Sequence, residues 1–145
     1  MNQSELFKKV AKAGGGGYAI GQSLPAVAGI LNDIQVIKYD ADKGPTISGL
    51  VNFMIEFYRQ RPKMKLEERA RQLGRLIEEA HKEFQYIVLI IKNAAALPPK
   101  QLGLLKNIRE ITDPPTLGII LLGDPAALDR KFLTAQSIGQ RMFRF

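Results

Sequence analysis

The sequence predicts an α/β domain: a mostly parallel sheet in a three-layer sandwich with helices. Three observations carry this. Tyr86 to Ile91, YIVLII, and Leu117 to Leu122, LGIILL, are continuous apolar runs of strand length, the pattern of strands covered on both faces. Apolar residues recur at three- and four-residue steps through three other segments, as amphipathic helices require. Strands and helices then alternate along the chain, which implies crossovers between parallel strands.

Taken in order, Ser4 to Ala13 reads as a helix capped by Ser4, with Leu6, Phe7 and Val10 on one face. Gly14 to Gly17 breaks it. The stretch YAIGQSLPAVAGIL follows, with Pro25 in the first turn of a helix reaching Leu31. Ile34 to Asp40, IQVIKYD, is a strand rich in β-formers, and DKGP after it is a turn. Thr46 to Gln60 is a helix through Ile47, Leu50, Val51, Met54 and Ile55, with Phe53, Phe57 and Tyr58 read as packing. RQRPKMK is a basic loop. Leu66 to Phe84 is a second long helix, through Leu73 and Ile77. After the strand at Tyr86, Pro99 to Ile111 is a helix through Leu102, Leu105 and Ile108. TDPPT breaks the chain before Leu117. A short helix follows Asp124, and MFRF is a last short strand.

The chain has 145 residues, enough for one domain with its own core. Apolar residues make up 46%, too many for a disordered chain. There is no cysteine, which excludes disulfides and thiolate metal sites. The first residues lack the apolar core of a signal peptide, and no apolar run approaches the roughly 20 residues of a membrane helix. A cytoplasmic protein with no membrane partner is expected. Lys and Arg exceed Asp and Glu by 21 to 14, a net charge of +7 that favours polyanionic partners.

In a parallel sheet, ligands bind beyond the carboxyl ends of the strands. Those ends are the glycine loop, Asp40, Lys92 with Asn93, and Gly123 with Asp124, and they are expected to converge at one edge. Gly16 to Ser23 has the spacing of a phosphate-binding loop, through Gly16, Gly17 and Gly21, with Gln22 in the place of the lysine. Its backbone N–H groups would cradle phosphate, but Gln22 carries no charge. The same glycines also read as a plain linker, because no apolar strand precedes them.

The order of a glycine loop, HKEFQYIVLIIKNAAALPPKQLGLLKNIREI, PPTLGIILLGDPAALDRKF and IGQRMFRF resembles the AAA+ P-loop ATPases of DNA transposition. These include the phage Mu B protein, transposon target-selection ATPases and secretion-linked relatives. The resemblance covers residues 14–145 as one core-like domain, after an N-terminal helix in residues 1–13. It implies that Lys92 and Asn93 stand where the family has its Asp and Glu, which hold the Mg²⁺ shell and activate water. It further implies Ser23 as the metal-ligating hydroxyl and Asp124 near the polar sensor position. Arg141 would be the late arginine that reaches a neighbour's nucleotide. The family continues into a small helical lid, whereas this sequence stops at Phe145, so a core without the lid is expected.

With the loop lysine, the Asp and the Glu all replaced, degenerate motifs and little or no hydrolysis are expected. Losing the general base alone costs about 10²- to 10⁴-fold. ATP or ADP could be held without a well-bound Mg²⁺, with Lys92 either supplying the charge missing at Gln22 or leaving the cleft for solvent. Arg59, Arg61, Lys63, Lys65, Arg69 and Arg71, with Arg75 beyond, form a basic cluster suited to the DNA backbone; a solvated helix face with Glu67–Arg71 pairing is the other reading. His81, without histidine or cysteine company, reads as a surface residue. The leading expectation is a pseudoenzyme: an ATP-binding, DNA-binding assembly module that forms a homo-oligomer or joins a related AAA+ subunit. The alternatives are a divergent ATPase of transposition or recombination, with its carboxylate supplied by Asp124 or a partner, and a small α/β interaction domain with no nucleotide site.

Overall fold

The computed structural model describes residues 3–11, 18–21, 30–31, 33–111, 117–134 and 142–144. The helices are α1 (Gln3–Ala11), α2 (Ile47–Phe57), α3 (Leu66–Ala80), α4 (Pro99–Arg109) and α5 (Pro125–Thr134). The strands are β1 (Tyr18–Gly21), β2 (Ile30–Leu31), β3 (Ile34–Asp40), β4 (Tyr86–Lys92), β5 (Leu117–Leu122) and β6 (Met142–Arg144), with a single 3₁₀ turn at Ala94–Ala96. They form one sheet in the order β2-β3-β4-β5-β1-β6. Every neighbouring pair is parallel except β2 with β3, an antiparallel edge.

The uninterrupted apolar run of β4 is explained by its two faces. Ile87, Leu89 and Ile91 join the cluster under α2, α3 and α4, while Val88 and Ile90 join the cluster under α1. Both sides of the strand are dry, so no polar alternation survives. On its own face, α1 presents Leu6, Phe7, Val10 and Ala11 to Val36, Val88, Ile90 and Ile120. It lies so close over β5 that a Cβ on Gly118 would stand 2.8 Å from Val10 C and Ala11 N.

Two sequence readings are corrected. The segment read as a loop from Gly16 to Ser23 contains β1, a central strand between β5 and β6. Tyr18-Ala19-Ile20 is short, but partners on both sides supply its backbone hydrogen bonds, so four residues suffice. The helix expected to run to Leu31 does not reach it, because Ile30 and Leu31 pair with β3. Phe53 and Phe57, read as packing, lie against Tyr39 and Tyr58 at the border of the core, 36% and 38% exposed.

α2 begins with Thr46 capping Gly49 N. It ends in a Schellman turn: Gln60 N–H donates to Ile55 O and Arg59 N–H to Glu56 O, with Arg59 left-handed at φ 61°. A side chain there is strained by about 1–2 kcal/mol relative to glycine. Arg59→Gly should therefore raise stability by about 1 kcal/mol in urea denaturation, the glycine's greater freedom when unfolded taking back part of the gain.

Candidate functional site

The carboxyl ends of four adjacent strands converge, as the alternation of elements required. Asp40 is in register with Lys92, and Ala41 N–H donates to Lys92 O at 2.9 Å, carrying the β3–β4 ladder one step past the strands. On the other side of β5, Gly123 N–H donates to Gly21 O at 3.0 Å. Gly123 also lies against the turn after β4: a Cβ there would be 3.7 Å from Ala95 N. Gly21, Gly123, Asn93 and Asp40 thus sit along one edge. Gly16, Gly17, Gln22, Ser23 and Arg141 lie outside the described residues. By chain order Gly16 and Gly17 precede β1, and Gly21 is its last residue.

At the tip of β4 the chemistry is not that of an acidic pair. Asn93 is left-handed at φ 54°, ψ 41°, and its Nδ2 donates to Asp40 Oδ1 at 2.9 Å. Asp42 N–H donates to the same oxygen at 3.0 Å. The Asn93 and Asp42 hydrogen bonds, with Lys92 and Lys43 nearby, outweigh desolvation and hold the Asp40 carboxyl below the usual carboxylate range. Lys92 is exposed at the strand end, its charge facing Asp40 and solvent. Asn93 is therefore a turn residue and a hydrogen-bond donor, and its partner Asp40 had no sequence signal beyond its place at a strand end. The signal for the turn was present: asparagine is one of the few residues that adopt this conformation readily.

Asp124 stands at the same edge but serves as the start of α5: its Oδ1 accepts from Ala126 N at 3.3 Å and its carbonyl from Leu128 N. Among the described residues, no group of three or more His, Asp or Glu side chains is arranged to hold a metal ion.

The basic segment runs from Arg59 into α3, away from this edge cluster in sequence. Gln72 of α3 fastens it, accepting from Lys63 N–H at 3.0 Å and donating to Arg61 O at 2.9 Å. Lys63, Arg71 and Arg75 line a groove of about 560 Å³, with Glu68 and Glu79 also in its walls. Arg59, Arg61 and Lys65 are exposed. Arg69 is committed elsewhere: its Nη1 donates to Asn52 Oδ1 at 2.7 Å and to Ser48 Oγ at 3.2 Å, joining α3 to α2.

The fold is matched among solved structures. No protein-family model and no curated protein matches the chain. The ORC2 protein of Aeropyrum pernix in its ADP form superposes with a TM-score of 0.67 over 99% of this chain, at 13% identity. CDC6P from Pyrobaculum aerophilum gives 0.62 over 98%, at 12% identity. The chain has the AAA+ type of P-loop NTPase fold. It spans 45% and 41% of those two proteins, less than half of each. At such identities the likeness establishes the AAA+ architecture and leaves the chemistry to the residues above. No helix among the described residues is long and apolar enough to cross a membrane.

Proposed function

We propose that this AAA+-like chain is a non-hydrolysing module that binds DNA and assembles with copies of itself or with a related AAA+ subunit. One observation carries the proposal. Where an ATPase of this fold needs a metal carboxylate and a water-activating carboxylate, the chain has an exposed lysine and an asparagine turned onto Asp40. Hydrolysis would lack both charge compensation and a general base. Asp124 is partly engaged at the start of α5, where its Oδ1 accepts from Ala126 N–H at 3.3 Å. The kinship with transposition ATPases rests on the order of segments from Phe84 onward.

A second reading, ATP or ADP binding without turnover, is supported by the convergent carboxyl edge and by the ADP form of ORC2, a protein of the same fold. A rise in melting temperature with ATP, with or without Mg²⁺, supports it; no shift at saturating nucleotide removes it.

For DNA, the exposed cations of 59–75 predict a sequence-indifferent, salt-dependent contact. If about four phosphates are engaged, affinity for a random duplex should fall roughly a hundredfold between 50 and 200 mM salt. Arg71→Glu/Arg75→Glu should flatten that slope, while Arg69→Ala should weaken the α2–α3 seam more than DNA binding. Fluorescence anisotropy at several salt concentrations is the measurement. Binding that ignores ionic strength, or none at low salt, removes the DNA reading.

A further inference from the structure

The face opposite α1 is not fully filled. α3 lies against the turn just past α4, so closely that a Cβ on Gly74 would stand 3.2 Å from the Ile111 carbonyl oxygen. Between the N-terminal half of α3 and α4 there is a cleft of about 580 Å³, floored by Ile47 and Val51 of α2 and walled by Leu66, Leu104 and Ile108. Its wall is held rather than loose. Gln101 Oε1 accepts from Ile47 N–H at 2.8 Å, tying α4 to the start of α2, and Arg69 ties α3 to the same helix. Glu67 is the one charged residue in the lining.

Beside this cleft stands its complement. Met64 is 97% exposed and Leu66 59%, the two most exposed large apolar side chains among the described residues. They belong to the stretch Lys63-Met64-Lys65-Leu66-Glu67, so the apolar knob is flanked by two cations while the hole holds one anion. Methionine suits such a role, being unbranched and able to fit an irregular cavity.

We infer that this face is a two-fold interface between copies of the chain, in which Met64 of each copy enters the α3–α4 cleft of the other. Knob and hole lie on one molecule, as a self-complementary interface requires. The charges agree in sign: Lys63 and Lys65 approach the second copy's Glu67, and its lysines approach Glu67 in return. An acidic partner would meet Glu67 in the lining of the cleft, and a purely apolar one would leave Glu67 and the lysines without partners. The interface goes beyond the proposed function in naming a surface, and it requires neither DNA nor nucleotide.

The test is sedimentation of the 145-residue chain over a concentration series without DNA or nucleotide. The wild type should show a reversible monomer–dimer equilibrium. Met64→Glu should weaken it at least about tenfold, as loss of a central anchor does, with an unchanged circular dichroism spectrum, because so exposed a side chain packs against little in the monomer. Glu67→Lys should also weaken the dimer, and adding Lys63→Glu/Lys65→Glu should restore it. A wild type that stays monomeric at every concentration overturns the inference and leaves the cleft to another occupant. A dimer indifferent to Met64→Glu overturns it as well, by placing self-association on another surface. DNA binding measured in a Met64→Ser variant, which removes the apolar knob without changing charge, keeps this result separate from the fate of the DNA reading.

Discussion

Replacing Gly118 with alanine should cost about 2–3 kcal/mol, a fall in melting temperature of roughly 6–12 °C. The added methyl would sit 2.8 Å from Val10 C and Ala11 N, both backbone atoms of α1. Backbone cannot rotate away as a side-chain tip can, so α1 as a whole must shift. Leu6, Phe7 and Val10, all buried against the sheet, shift with it. One effect opposes this: alanine in place of glycine restricts the unfolded chain and stabilises by about 0.4–1 kcal/mol where it fits. Here it does not fit, and the clash is the larger effect. Urea denaturation gives the magnitude, and amide exchange in residues 6–11 shows whether α1 is what loosens. An unchanged midpoint would mean that α1 does not press on β5 at this point.

Restoring the acidic pair, Lys92→Asp/Asn93→Glu, should produce no measurable ATP hydrolysis and should lower stability by about 1–2 kcal/mol. That estimate comes from the left-handed backbone of position 93, which asparagine tolerates and most other side chains resist. The substitution also removes the amide that donates to Asp40 and sets two further carboxylates beside it. Like charges at that spacing oppose one another. Phosphate release at the buffer background, together with a lowered denaturation midpoint, is the expected pair of results. Turnover above background in this variant would show that only two side chains separate the chain from an active ATPase; turnover by the wild type itself would remove the non-hydrolysing reading. The single variant Asn93→Gly separates the two causes, because it relieves the backbone while still losing the hydrogen bond to Asp40.

The contrast between the two ends of the sheet shows what could be read in advance. β3 and β5 were legible to the residue, and β4 to within one. The unbroken apolar runs of β4 and β5 have only one stable location, covered on both faces, and β3 is rich in β-formers although Lys38 is exposed. The helices were legible from their period, with ends read a few residues too long. β1 was not. Tyr18-Ala19-Ile20-Gly21 carries too little apolar sequence to announce a strand, and the glycines around it match a loop motif. It is a strand because β5 and β6 approach it from both sides, and that pairing is between residues about a hundred positions apart. The candidate site divides in the same way. That Lys92 and Asn93 occupy the tip of a buried strand was readable. That Asn93 turns back onto Asp40, that Asp124 bonds to the first turn of a helix and that Arg69 joins two helices were not.

By itself, then, the sequence determined the α/β class, the covered strands, the excess of positive charge and the absence of an acidic pair, since each follows from residue type and local period. Only the tertiary structure decided the strand order, the close seat of α1 over Gly118 and the cleft beside Met64. These depend on which distant segments meet, and a parallel sheet places that information in contacts between chain segments far apart rather than in any one stretch of them.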